Sequence, residues 1–271
     1  MAKIVQISDL HIARQGELLI GHDPRAALDR CIKHILDHHS DADRLIISGD
    51  LCHRGESESY IWLRRQLDRL PMPVIMTIGN HDDRQAFRTV FSDYPVDDNG
   101  FIQSTDNVGG YRIITIDTNI PGAHPGELCP QRFAWLEAAI GQATRDDVPV
   151  ILVMHHHPLP IGLTGFDRIG LQNPEPFHAL LAANRTTIRQ IVFGHCHMTL
   201  SGNVAGVAFC APRSVNHQSW PDFSNSGQLT FANLQPGYNV LLTGLDGVVV
   251  HTVEFDFDGP VTRVDTTFDQ S

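Results

Sequence analysis

Five short apolar runs, rich in β-branched residues, each end in a knot of polar side chains. KIVQI at 3–7 leads into Asp9-x-His11, and RLIIS at 44–48 into Gly49-Asp50. PVIMTI at 73–78 leads into Gly79-Asn80-His81-Asp82, VPVILVM at 148–154 into His155-His156-His157, and RQIVF at 189–193 into Gly194-His195-Cys196-His197. Short continuous apolar runs bounded by turn residues read as strands buried on both faces. Helical spacings separate the first three. Pro24–His38 carries apolar residues at Ala27, Leu28, Cys31, Ile32, Ile35 and Leu36, with Pro near its first turn. Ser57–Leu70 is the next predicted helix, with Ser caps at its start and Pro71 beyond its end, and Asp83–Phe91 the third. This β-α-β-α-β rhythm predicts a largely parallel sheet with helices on its faces.

After Gly100 the pattern changes. Tyr111–Ile116, Val148–Met154 and Ile191–Phe193 read as strands and Pro130–Ala143 as a helix. From Val204 onward, short apolar runs are broken by Gly, Asn and Pro: Val204–Cys210, Gln228–Ala232, Val240–Leu242 and Val248–Phe255. These predict a second, more antiparallel sheet. The segment 160–173, with Gly162, Gly165 and Gly170, is expected to form part of a substrate wall. Trp62 and Trp135 stand at helical spacing among apolar neighbours and are expected in the core.

At 271 residues the chain can bury a large core. A formal charge of −11 argues against general nucleic-acid binding and against an anionic membrane surface. Bound divalent cations would still make a local positive pocket on such a protein. The five cysteines are odd in number and form no C-x-x-C pair, which argues against a disulfide framework or a zinc knuckle. No apolar run approaches membrane-spanning length, and Asp9 arrives before a signal-peptide apolar region could fit. A cytoplasmic location is expected.

Side chains at the ends of neighbouring strands converge on one rim of a sheet. Five such ends loaded with Asp, Asn and His therefore read as a site for two metal ions. A carboxylate between two cations holds them roughly 3.5–4 Å apart, the spacing used in two-metal hydrolysis of phosphate esters. Imidazole suits zinc, iron and cobalt, and carboxylate and amide oxygens admit manganese. Single elements of the pattern mean little; their joint occurrence in order, each after a strand, carries the reading. Cys196 should point away from the metals while His195 and His197 point in, because side chains alternate along extended backbone. His22, His34, His38 and His39 read as solvated residues, and His124, His178 and His251 have no motif context.

Taken together, D-x-H, G-D, G-N-H-D, a His-bearing strand end and G-H-x-H resemble the metallophosphoesterase (calcineurin-like) superfamily over roughly the first 220 residues. The resemblance is closer to bacterial class III cyclic nucleotide phosphodiesterases and their glycerophosphodiesterase relatives. It is carried there by GDLCHRG at 49–55, DTNIPGAHPGEL at 117–128, MHHHPLPIG at 154–162 and APRSVNHQ at 211–218. It implies an α/β fold, a four-layer α/β-β/α sandwich of two mixed sheets with flanking helices. Residues 1–227 would form the catalytic domain and 228–271 C-terminal strands serving as a cap or dimerisation element, with a homodimer or higher homo-oligomer as the assembly.

By the same resemblance, Asp9, His11, Asp50 and His197 would hold one ion and Asp50, Asn80, His155 and His195 the other. The ions would be two divalent metals: Mn, Fe, Zn or Co. His81 would be the catalytic histidine and Asp82 would orient its ring. Asn80, His81, His156 and His217 would line the substrate side. Arg213 stands where a small hydroxyl residue is usual. It would either bind a phosphate oxygen or pair with a surface carboxylate. His53 and His157 are further departures. The implied activity is hydrolysis of small phosphodiesters, 3′,5′-cyclic nucleotides or glycerophosphodiesters, by attack of a metal-bound hydroxide. A phosphomonoesterase, a DNA nuclease and a non-catalytic protein-interaction module of the same fold are the competing readings. The acidic charge counts against the nuclease, and the filled ligand positions against the module.

Overall fold

The computed structural model describes residues 1–244 and 246–263. The last residues of the expected C-terminal segment, 264–271, lie outside that description. Two large mixed sheets face one another. The first contains β1 (Ala2–Ile7), β2 (Arg44–Ser48), β3 (Val74–Thr77), β12 (Gly237–Gly244) and β13 (Gly247–Glu254), in the order β13-β12-β1-β2-β3. The second contains β4 (Ser104–Val108), β5 (Tyr111–Thr115), β6 (Val150–Val153), β7 (Ile188–Val192), β8 (Leu200–Val204) and β9 (Val207–Ala211), in the order β4-β5-β6-β7-β9-β8. A two-residue ribbon joins β10 (Gln218–Ser219) to β11 (Phe231–Ala232). The helices are α1 (Pro24–His39), α2 (Ser57–Leu67), α3 (Arg84–Val90), α4 (Pro130–Arg145), α5 (Thr164–Asp167) and α6 (Glu175–Ala183).

Strand alternation divides the core into three seams. Ile4 and Ile46 on the first sheet meet Ile113, Ile151 and Val192 on the second, which seals the sheets face to face. Val5, Leu45 and Met76 point the other way, against Leu28, Ile32 and Leu63 of α1 and α2. Ile114, Leu152 and Ile191 meet Leu136, Ile140 and Leu181 of α4 and α6. The result is helix, sheet, sheet, helix, the expected four layers. Trp62 and Trp135 pack against the two outer cores, as expected. No helix among the described residues is long and apolar enough to cross a membrane.

The helices begin where their sequences can cap them. The Asp23 carboxylate accepts from the N–H groups of Arg25 and Ala26 at the start of α1, and Asp83 accepts from Ala86 at the start of α3. For α2 the cap is Glu56 without a side-chain bond, rather than a serine, and the helix ends at Leu67, three residues short of the expected Leu70.

The late strands depart from expectation. They do not build an antiparallel sheet of their own. β9 lies parallel to β7 with β8 antiparallel beside it, while β12 returns across the molecule to pair antiparallel with β1, and β13 with β12. The physical reason is that β1 is buried on both faces and would otherwise leave an open edge in the core. Tyr238, Val240 and Leu241 are apolar on both sides of β12 and suit that central place.

Candidate metal centre

Within each sheet the strands that carry the polar knots are parallel: β1 with β2, β2 with β3, and β6 with β7. Their C-terminal ends therefore share a rim in each sheet; backbone bonds knit each rim, and a bond from His195 N to the Asp9 carboxylate joins the two. Asp9 N donates to Gly49 O at 3.1 Å, His11 N to Asp50 O at 2.9 Å and Gly194 N to His155 O at 3.1 Å. His195 N donates to the Asp9 carboxylate at 2.9 Å. The turns are tight enough to force unusual backbone. Asp9, His11, Asp50, His195 and His197 all have positive φ, between 48° and 68°, a region that ordinary side chains avoid and that clusters at functional sites. Two glycines allow the closeness: a Cβ at Gly79 would overlap the Asp50 carboxylate, and one at Gly194 would overlap Ser8 Oγ.

The side chains form two adjoining clusters. In the first, His11 Nε2 lies 3.0 Å from His197 Nε2 and 3.4 Å from Asp50 Oδ2, and His197 Nε2 lies 3.6 Å from Asp9 Oδ1. In the second, His155 Nε2 lies 3.3 Å from Asp50 Oδ1, 3.2 Å from Asn80 Oδ1 and 3.2 Å from His195 Nδ1. Asp50 thus gives one oxygen to each. The Nδ1–H of His197 donates to His217 O and that of His155 to Ser48 O. Those bonds leave both Nε2 atoms facing into the clusters, the orientation that a carbonyl behind the ring gives to metal-bound histidine.

Electrostatics fit cations here. Burial holds His11 and His195 well below the ordinary histidine range, and neighbouring imidazoles push the same way, so both are neutral donors. Burial would raise Asp50, but His155 and His81 outweigh it and keep it a carboxylate. Burial raises Asp9 despite His197. Asp9 Oδ2 and His195 Nε2 are buried with no hydrogen-bond partner among the described residues. Bare imidazole lone pairs 3.0 Å apart and an orphaned carboxylate oxygen are costly without a positive ion between them. The donor set of nitrogen and oxygen suits divalent transition metals.

A cavity of about 340 Å3 opens over the clusters and is lined by His81, Asn80 and His217 as well as by His11, Asp50, His195 and His197. His81 N donates to Asp50 Oδ1 at 2.9 Å and its Nδ1 donates to His53 O at 2.9 Å, leaving Nε2 free. The His217 ring stands 4.4 Å from that of His197. Burial, then His197, lowers it to about 2, so it is a neutral hydrogen-bonding group. Cys196 does point away, toward His157 Nδ1 at 3.5 Å. A larger cavity of about 650 Å3, among the N-terminal strand ends at Tyr111, Pro149 and Arg189, gathers no histidine.

Two expected roles need correction, and an open alternative at Arg213 is decided. Asp82 does not touch the His81 ring. Its carboxylate accepts from Leu51 N, Cys52 N, Gly79 N and Tyr60 OH, because backbone donors of the adjoining loops reach it first. Arg213 takes the surface option, pairing with Glu254 at 2.6 Å and Gln235 O at 3.0 Å, since β13 brings Glu254 alongside it. His156 is a buried strut rather than a substrate contact. Thr118 Oγ1 lies 2.7 Å from its Nδ1 and His124 O 3.0 Å from its Nε2, so both nitrogens are committed. Conversely His124, set aside in the sequence, lines the cavity, as does His53, which stacks on His81 with ring centres 5.1 Å apart. The stretch DTNIPGAHPGEL was the available signal for His124. Phe166 and Ile169 of the expected substrate wall also line it, with Leu18, Ile20, Leu229 and Phe231, which no motif flagged.

Comparison with known proteins agrees with this geometry. Over 261 residues the chain is 34% identical to a Rhodopseudomonas palustris protein named "Probable cyclic nucleotide phosphodiesterase", covering 96% of this chain and 94% of that one. It is 30% identical to the 3′,5′-cyclic adenosine monophosphate phosphodiesterase of Pseudomonas aeruginosa, covering 94% of each chain. It is 28% identical to an Arcobacter nitrofigilis protein named "Probable glycerophosphodiester phosphodiesterase", covering 95% of each. A dimetal phosphatase from Danio rerio shares the fold, with a TM-score of 0.72 at 14% identity over 94% of this chain and 96% of that one. Residues 2–198 match the calcineurin-like phosphoesterases. That match takes in all five polar strand ends in order, from Asp9 to His197, and on it the chain belongs to the calcineurin-like phosphoesterase family.

Proposed function

We propose that this protein hydrolyses small phosphodiesters, 3′,5′-cyclic nucleotides or glycerophosphodiesters, with two divalent ions drawn from Mn, Fe, Zn and Co. The observation that carries the reading is Asp50, whose two oxygens face separate clusters of nitrogen and oxygen donors. Asp9, His11, Asp50 and His197 would hold one ion, and Asp50, Asn80, His155 and His195 the other. When bound, the ions act as Lewis acids toward water and the phosphate oxygens. The protein's own groups do the rest. Asp50 is fixed by His81 N, and Ser48 O and His217 O set the tautomers of His155 and His197. His81 meets the phosphate through Nε2, its Nδ1–H being committed to His53 O. Protonated, that atom donates to a phosphate oxygen or to the departing alkoxide. His217 and His124 border the same space.

The names of relatives that match along nearly the whole chain support a diester as the substrate. The absence of any Lys or Arg among the described residues lining the cavity also favours a singly charged diester over a monoester dianion. The free state of all five cysteines supports a cytoplasmic location. Residues 1–227 supply the metal ligands of this reading, and Leu229 and Phe231 reach the same cavity from the segment 228–271. We assign a role in self-association to 228–271; sedimentation as a clean monomer at high concentration would remove it.

The test is hydrolysis of bis-para-nitrophenyl phosphate by chelator-stripped protein with Mn, Co, Fe or Zn restored one at a time, followed by 3′,5′-cyclic AMP and glycerophosphodiesters. Metal-restored diesterase activity is expected. Asp50→Ala should lower it by at least about a thousandfold, since a ligand to both ions is lost. A strong preference for para-nitrophenyl phosphate over its bis-ester would point to a monoesterase instead.

A further inference from the structure

We infer that the turn carrying Leu18 and Ile20, facing Phe231 and Leu229 across the cavity mouth, is a specificity wall for the non-reacting ester group, which must be an uncharged alcohol with a broad apolar face. This rests on the diesterase reading above and adds which diesters the site prefers.

The turn is built against local preference. Leu19 and His22 exchange both backbone hydrogen bonds, at 2.8 and 2.9 Å, so Ile20 and Gly21 form a two-residue reversal. Both have positive φ, 50° and 82°. Such a turn wants Asn or Gly at its first central position, and a β-branched residue there is a steric outlier. Packing gives nothing in return: Ile20 is 56% and Leu18 60% exposed. The turn is nevertheless anchored beside the metal centre, because Glu17 pairs at 2.6 Å with Arg54, the neighbour of His53. A strained apolar side chain held in solvent at a cavity mouth has a ligand as its remaining partner.

The facing wall is equally apolar. The Phe231 ring stands 5.4 Å from the His217 ring. Leu229 lies against α5, where a Cβ at Gly165 would come within 3.0 Å of it. Phe166 closes the floor, its ring 6.5 Å from that of His195. Among the described lining residues Asp50 is the sole carboxylate and there is no Lys or Arg. A charged group or a polyol held against the apolar side chains of Leu18, Ile20, Leu229 and Phe231 would lose water without gaining partners there, whereas a flat apolar group would bury area on both faces.

The test uses two para-nitrophenyl diesters with the same leaving group, one with a phenyl and one with a glyceryl group as the second ester, on metal-loaded enzyme. Wild type should favour the phenyl ester in kcat/KM by at least about tenfold, and Ile20→Asn should reduce that ratio about tenfold, the range of one apolar contact. Ile20→Asn should also raise the melting temperature of the metal-free protein by about 2 °C, because Asn tolerates the left-handed region. Leu18→Asn, an exposed and unstrained position, should move the ratio the same way. Hydrolysis of both esters with a ratio that neither substitution moves would overturn the wall and leave the diesterase reading intact. Failure of wild type to cleave either ester with any metal would overturn both.

Discussion

The buried carboxylate of Asp82 receives hydrogen bonds from Leu51 N, Cys52 N and Gly79 N at 3.0, 3.0 and 2.8 Å and from Tyr60 OH at 2.8 Å. It therefore ties the loop that follows Asp50 to the loop that presents Asn80. Asp82→Ala strands four buried neutral donors, each costing about 1–3 kcal/mol when unsatisfied, so a loss of at least about 3 kcal/mol is expected. The midpoint of a urea titration should fall accordingly, and metal affinity with it; a wild-type midpoint would contradict this bracing role. Asp82→Asn, which keeps the volume and half of the acceptors, should fall between. The case also marks how far the site was legible in sequence. A strand-end motif says that an acidic group arrives at the rim, and for Asp9, His11, Asp50, Asn80, His155, His195 and His197 arrival was enough to bring them together. It does not say which backbone donors capture a side chain on arrival. That is why Asp82 and His156 depart from the roles the motif implies, why Arg213 stays an alternative until Glu254 is seen beside it, and why the motif gives no weight to His124 and His53.

At the scale of elements, the site hangs on a second polar knot. Asp117, at the end of β5, takes a bidentate contact from Arg84 of α3 at 2.8 and 2.9 Å and accepts from Ile102 N and Asn119 N. Arg132 of α4 donates to Asp117 O and Asn119 O, and Asn119 Nδ2 donates to Gly79 O at 2.6 Å. Helices from both outer layers are thereby fixed to the loop that carries Asn80. Asp117→Asn leaves the Arg84 guanidinium at a neutral partner, while Arg132 keeps Glu127 at 2.8 Å, with an expected loss of about 3–5 kcal/mol. At roughly 2–4 °C per kcal/mol for a chain of this size, the melting temperature should drop by about 6 °C or more. Arg84→Lys should be nearly as harmful, since an ammonium cannot make the fork. An unchanged melting curve for Asp117→Asn would count against the knot. The elements around it were unevenly readable. Apolar runs buried on both faces, such as β2 and β6, announced themselves, as did the long helices α1 and α4. β4, with the sequence STDNV, and β8, with LSGNV, are edge strands that alternate little, and their pairing comes from neighbours. α6 is short, with Pro176 near its start, so it offers too few turns for a period to show. Where β12 goes is a matter of which edge remains unfilled, and no local pattern carries that.

The whole molecule makes one site from two sheets, and the cost of doing so without metal is visible at His155. Burial would lower this histidine, but Asp50, and then Asp9, more than offset it and push it up to about 9. In the metal-free protein His155 therefore carries a proton that stands where a cation would stand, paired with Asp50 at 3.3 Å. The folded value lies above the ordinary histidine value of 6.5. The stabilisation is accordingly full below pH 6.5 and is lost as pH rises through 9, roughly 3 kcal/mol in all. A bound divalent ion replaces that proton, so metal binding at pH 7.5 should release about one proton from His155, and the affinity should climb as pH rises. Two curves of melting temperature against pH, one with chelator and one with saturating metal, make the comparison. At a hundredfold excess over the dissociation constant the metal adds about 2.7 kcal/mol, several degrees for a protein of this size. The chelated curve should then fall away between pH 6.5 and 9 while the loaded curve holds, so that the gap widens. Calorimetry in buffers of different ionisation enthalpy counts the released proton directly. A gap of constant width, with no proton released, would mean that His155 is neutral before the metal arrives and that the two rims meet without an electrostatic clasp.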